Sequence, residues 1–110
     1  LALADAGGIQ ESTRPDELIH IAIVYSPDNS IRLYRNGTAY GHGYTRGQLT
    51  RFAAHSARIV LGRRHLAPGI AALRGEIEEA RLYARALTPG EILASFKAGV
   101  ARPSNEELAA

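Results

Sequence analysis

Glu76 and Glu78, separated by Ile77, are the most suggestive acid pair in the sequence. Two carboxylates hydrolyse a glycoside when one attacks the sugar and the other protonates the leaving oxygen, at a separation of about 5 Å in a retaining enzyme. The other reactive groups point away from catalysis. His20, His42, His55 and His65 lack short metal-ligand spacings and a carboxylate a turn or two away. His20 sits in a strand pattern and reads as a hydrogen-bonded structural residue. No serine has a nucleophile-elbow context, and no glycine-rich loop leads into a helix as phosphate binding requires. Zero cysteines exclude disulfides, thiolate metal sites and redox dithiols. Asp28 and Asn29 are explained as turn residues; no clustered aspartate loop gives calcium an assignable site, and no cofactor is expected.

Contact residues are better represented. Thr38, Tyr40, His42 and Tyr44 alternate along one face of a strand, where aromatic rings can stack on sugars and hydroxyls can hydrogen-bond. The competing use of such tyrosines is packing on their own sheet. Arg63, Arg64 and His65 form a second candidate, because arginine in an exposed loop grips carboxylate or sulfate groups bidentately. A solvated loop is the plain alternative. The candidate ligand-binding set is therefore Tyr40, His42, Tyr44, Arg63, Arg64 and His65.

The elements that must position these groups follow from the pattern. At 110 residues, 45% hydrophobic and 22% charged, the chain is one small globular domain. The net charge of +2 comes from 13 basic and 11 acidic residues scattered along the chain, which argues against nucleic acid. The apolar run from Leu18 to Tyr25 is interrupted by His20 and is far shorter than the roughly 20 residues a membrane span needs, so membrane insertion is not expected. No signal peptide opens this segment. Residues 1–17 read as a lead-in. In the first strand Ile19, Ile21, Ile23 and Tyr25 share one face, with His20, Ala22 and Val24 on the other. After a turn at 26–30, Ile31 and Leu33 alternate with Arg32 and Tyr34 in a half-buried return strand. Asn36–Gly37 is the strongest two-residue hairpin signal and leads to a third strand over 38–44. Further strands are expected near Phe52, at 58–62 and at 74–83, the last with a bulge near Glu78–Glu79 to correct its parity. Thr88, Pro89 and Glu91 spell a capped helix start; Ile92, Leu93 and Phe96 form its apolar stripe and Gly99 ends it. Residues 100–110 read as a linker or the start of a next domain.

The segments HIAIVY, IRLYRNG, IVLG and LRGEIEEARLYARALTPGEI together resemble the C-terminal portion of a laminin-G-like, concanavalin A-like lectin/glucanase jelly roll. The ending is the specific part. Gly75, Ile77, Glu78, Glu79, Ala80, Arg81, Leu82, Tyr83, Arg85, Ala86, Leu87, Thr88 and Glu91 stand where that family has its final strand and helix start. The tryptophan usual before the histidine of the first matched strand is absent, Leu18 and Ile19 standing there. The resemblance implies an all-β antiparallel sandwich over 18–99, incomplete because a jelly roll uses about eight strands, with one short C-terminal helix.

In glycosidases of that family the catalytic pattern is glutamate, any residue, aspartate, any two residues, glutamate. Glu76, Glu78 and Arg81 stand at those positions, so a cation replaces the second acid. What the resemblance implies is a non-catalytic module of a larger, bacterial multidomain protein, extracellular, periplasmic or at the cell surface, binding carbohydrate or an extracellular protein beside neighbouring domains of the same polypeptide. A structural spacer without a ligand is the alternative, and a glycoside hydrolase fragment comes third.

Overall fold

The Asn36–Gly37 dipeptide sets the geometry of the sheet. Both residues have positive φ, 49° and 78°, the backbone of a type I′ turn, whose twist matches that of the strands it joins. It connects β2 (Ser30–Arg35) to β3 (Thr38–Thr45), with Arg35 opposite Thr38. β1 (Ile21–Tyr25) pairs antiparallel with β2, Ile23 opposite Leu33, giving the order β1-β2-β3. This computed structural model describes residues 7, 14, 16–62 and 74–100. Two units divide the chain: Leu1–Leu49 with Arg81–Ala110 contains the sheet and the helix, and Thr50–Ala80 forms the other.

The turn between β1 and β2 is built from its own side chains. The Asn29 N–H donates to the Ser26 carbonyl at 2.9 Å, and the Ser30 N–H donates to Asp28 Oδ1 at 3.0 Å. Asn29 takes the left-handed backbone, φ 66°, that asparagine tolerates better than most residues. Its Oδ1 accepts from the Leu49 N–H at 2.9 Å, tying the chain beyond β3 back to this first turn.

The helix α1 (Pro89–Ala98) starts as its sequence dictates. Thr88 is the N-cap, its hydroxyl accepting from the Glu91 N–H while the Glu91 carboxylate accepts from the Thr88 N–H. Ile92, at 3% exposure the most buried of the described core residues, packs with Val24 and Tyr34, with Ala22, Ala86 and Leu87 around them. Burying an isoleucine contributes roughly 1.5–3 kcal/mol, a large share of so small a core. α1 also presses on the hairpin turn: a Cβ built on Gly37 would lie 2.8 Å from Leu93 Cδ1 and 3.1 Å from Phe96 Cδ1. Beside it, His20 and Asn36 exchange two hydrogen bonds, His20 N–H to Asn36 Oδ1 at 2.9 Å and Asn36 N–H to the His20 carbonyl at 2.8 Å. The His20 ring stands 5.9 Å from that of Phe96.

Several sequence expectations need correction. β2 is not half-buried: Ile31 and Leu33 are buried on one face and Tyr34 on the other, because the central strand of this sheet is covered on both sides. β1 begins at Ile21 rather than Leu18 and is not buried throughout: Ile21, Ile23 and Tyr25 are exposed on one face while Val24 is buried on the other. Among the described residues there is no strand near Phe52, at 58–62 or at 74–83, and hence no ladder to carry a bulge at Glu78–Glu79. Those segments have strand-like composition, but a strand exists only where a neighbour takes its backbone hydrogen bonds. Their apolar side chains stand in solvent, Ile59 71% and Leu82 81% exposed. In the second unit the described structure includes a turn at 53–56, where the Ser56 hydroxyl donates to the Ala53 carbonyl at 2.7 Å. No helix among the described residues is long and apolar enough to cross a membrane.

Gly37→Ala and Gly47→Ala separate backbone strain from packing. Both positions have positive φ, but nothing lies within 4 Å of a Cβ at Gly47. Gly47→Ala is expected to cost about 1–2 kcal/mol in urea unfolding, and Gly37→Ala roughly 1–3 kcal/mol more from overpacking against α1. Equal losses would mean that α1 does not rest on the turn.

Candidate functional site

β3 carries the sequence-derived contact residues, and its register decides where they point. Leu33 is opposite Tyr40 and Ile31 opposite Tyr44, so one residue of β2 faces three of β3, Gly41–His42–Gly43. The excess is two residues, an even number. Tyr40 and Tyr44 therefore keep the same face as Leu33 and Ile31, since cross-strand partners project together and strand side chains alternate. Both tyrosines are half-buried, while His42 is exposed within the bulge.

The glycines make the irregularity feasible. Gly41 has φ 67°, and a Cβ on Gly43 would meet Arg32 Cγ at 3.1 Å, so a side chain there would crowd the arginine stem. A shallow depression of about 380 Å³ lies at this opening, lined among others by Arg32, Tyr40, Gly41, Gly43, Tyr44 and Thr45. Arg32 and Thr45 alternate with Ile31 and Tyr44 and so belong to the sheet face opposite the two tyrosines, the opening in the ladder bringing residues of both faces to one rim. The structure thus brings Tyr40 and Tyr44 together around one opening with His42 between them in sequence. Arg63, Arg64 and His65 lie outside the described residues. No group of three or more metal-ligating side chains occurs among the described residues.

Arg81 and Arg85 have roles that the spacing did not show. Arg85 grips Glu91 with two parallel bonds of 2.8 Å, Nη1 to Oε2 and Nη2 to Oε1. The same carboxylate caps the helix, so one acidic side chain closes the capping box and anchors the incoming chain. Arg81 reaches the other end of α1, donating to Ser95 Oγ at 3.3 Å and to the Gly99 carbonyl at 3.1 Å. A cation at a helix C-terminus is favourably placed against the helix dipole. Arg81 thus fastens the C-terminal end of the helix. Glu76 and Glu78 are exposed. The available signal was the capping-box Glu91, whose carboxylate has a second oxygen to share with an arginine upstream.

The sequence profile described as "Concanavalin A-like lectin/glucanases superfamily", of the laminin G type, matches residues 4–93. The chain belongs to this family. Among curated proteins none matches it. A solved structure similar in fold is the 2.1 Å crystal structure of residues 221–444 of an S-layer domain-containing protein from Clostridium thermocellum ATCC 27405, with a TM-score of 0.63 and 24% sequence identity. The similarity covers 77% of this chain but only 42% of that one.

The Arg85 guanidinium, with the Thr88 N–H second, holds the Glu91 carboxyl at about 2, below its ordinary 4.5. A carboxylate whose folded value is depressed stabilises the fold fully above its unfolded value and loses that contribution as pH falls through the folded one. Acid titration of stability is therefore expected to show a loss between pH 4.5 and 2 that Glu91→Gln lacks. Asp16, hydrogen-bonded to Arg14, and Asp28, hydrogen-bonded to Ser30, are lowered in the same direction and remain as the common background in both proteins. Parallel curves for the two proteins would show that the Arg85–Glu91 pair does not couple to folding.

Proposed function

We propose that the chain is a non-catalytic binding module of a larger extracellular or cell-surface polypeptide, holding carbohydrate or a protein partner. The observation that carries this reading is the opening at Gly41–Gly43, where Tyr40, Tyr44, Arg32 and Thr45 line one depression. Shallow sites of this kind bind by ring stacking and hydrogen bonding. Membership of a superfamily of lectins and glucanases supports a carbohydrate, and the S-layer domain-containing neighbour supports the surface location. His42, Arg63, Arg64 and His65 complete the proposed contact set. Residues 18–99 are the sandwich portion in this reading, with 1–17 leading in and 100–110 linking to neighbouring domains.

One observation favours a second reading, a structural spacer. Tyr40 and Tyr44 share their face with Ile31 and Leu33, so their rings are also placed to pack. Hydrolysis has the least support, because Arg81 takes the place of the second acid and is engaged with α1.

A glycan array probed with the full chain separates the three. The binding module predicts retention on a subset of glycans that Tyr40→Ala and Tyr44→Ala each reduce by roughly tenfold or more, the loss of one buried aromatic contact, with little change in melting temperature. Absent retention, or retention that falls only as far as stability falls, would favour the spacer. Sugar release that depends on Glu76 would restore the hydrolase; none is expected.

A further inference from the structure

Asn36–Gly37 carries a reactivity as well as a shape. An asparagine carboxamide followed by glycine is open to attack by the next backbone nitrogen, because glycine presents no side chain to obstruct it. The deprotonated Gly37 nitrogen adds to Asn36 Cγ, the tetrahedral intermediate expels the amide nitrogen as ammonia, and a five-membered succinimide remains. Water then opens the ring. Addition at Cγ gives aspartate; addition at the Asn36 main-chain carbonyl carbon gives isoaspartate, with the backbone rerouted through Cβ and Cγ. No oxidant or reductant is involved.

We propose that Asn36–Gly37 is a site of spontaneous covalent modification whose rate is set by the docking of α1. Two contacts restrain it in the native fold. Asn36 Oδ1 is held by the His20 N–H at 2.9 Å, and ring closure requires the carboxamide to leave that donor and turn onto the Gly37 nitrogen. Gly37 lies so close beneath Leu93 and Phe96 that a single added carbon would sit 2.8 Å from Leu93 Cδ1. The seated α1 therefore crowds the turn against the rearrangement that attack requires. Reaction proceeds from the opened state, and its rate follows the population of that state.

The two products differ in consequence. Aspartate retains an oxygen for the His20 N–H. Isoaspartate inserts a methylene carbon into a turn that tolerates only two residues at positive φ, which releases both the β2–β3 pairing at its tight end and the seat of α1. The modification would remove the contacts that slow it.

The full chain is incubated at neutral and mildly alkaline pH, native and in urea, and isoaspartate is mapped by peptide mass and by enzymatic methylation of isoaspartyl groups. Conversion at Asn36 is expected to be roughly tenfold or more slower in the native state. Leu93→Ala removes the atom closest to Gly37 from a surface position and should speed native conversion several-fold. Asn29, in the other turn and held by Leu49, is the internal reference and should not accelerate. Glu91→Gln, which loosens the helix start without touching the turn, should act in the same direction as Leu93→Ala. Equal rates in native and denatured protein, or Leu93→Ala and Glu91→Gln variants that leave Asn36 unchanged or accelerate Asn29 equally, would overturn the proposal.

Discussion

The close approach of α1 to a bare Cα at Gly37 is the contact on which the rest of the sheet-and-helix unit depends. The turn needs positive φ at both of its residues, and the seated helix leaves little room for a side chain on the second. With both satisfied, Ile92 reaches Val24 and Tyr34, and the small core closes between one face of the sheet and one side of the helix. His20 and Asn36 extend the arrangement by joining the start of β1 to the far end of β2.

Electrostatics then fixes the direction of the helix more than its stability. Arg85 at the N-terminus and Arg81 near the C-terminus are exposed, and solvent-screened pairs of this kind are individually weak. They act at opposite ends, so they orient α1 on the core that Ile92 defines. The bonds of Arg81 go to Ser95 and to the Gly99 carbonyl, at the end of the helix opposite the Arg85–Glu91 pair.

What the sequence revealed and what it hid divide by range. The Asn36–Gly37 turn and the Thr88–Glu91 cap were legible because each is decided within four residues. The strands expected at 58–62 and 74–83 were not to be had from alternation, which states which side chains could be buried and not whether a neighbouring backbone is present. Alternation puts Tyr34 with Arg32, opposite Ile31 and Leu33, yet Tyr34 is buried, because the helix that covers it comes from more than fifty residues later. The glycines of β3 signalled a loosened chain, yet only the register shows an insertion of even length, which is why Tyr40 and Tyr44 stay on one face as the alternation suggested. The second use of Glu91 is not legible in the capping motif because its partner, Arg85, lies outside the helix.

The Leu49 N–H bond to Asn29 closes the stretch containing β2 and β3 into a circuit whose two ends meet. All of its pairings are local, and local pairings form quickly because little chain entropy is lost in making them. As a ribosome extends the polypeptide, the meander emerges before α1, so its local pairings can be sampled early and become fixed when Ile92 docks on Val24 and Tyr34.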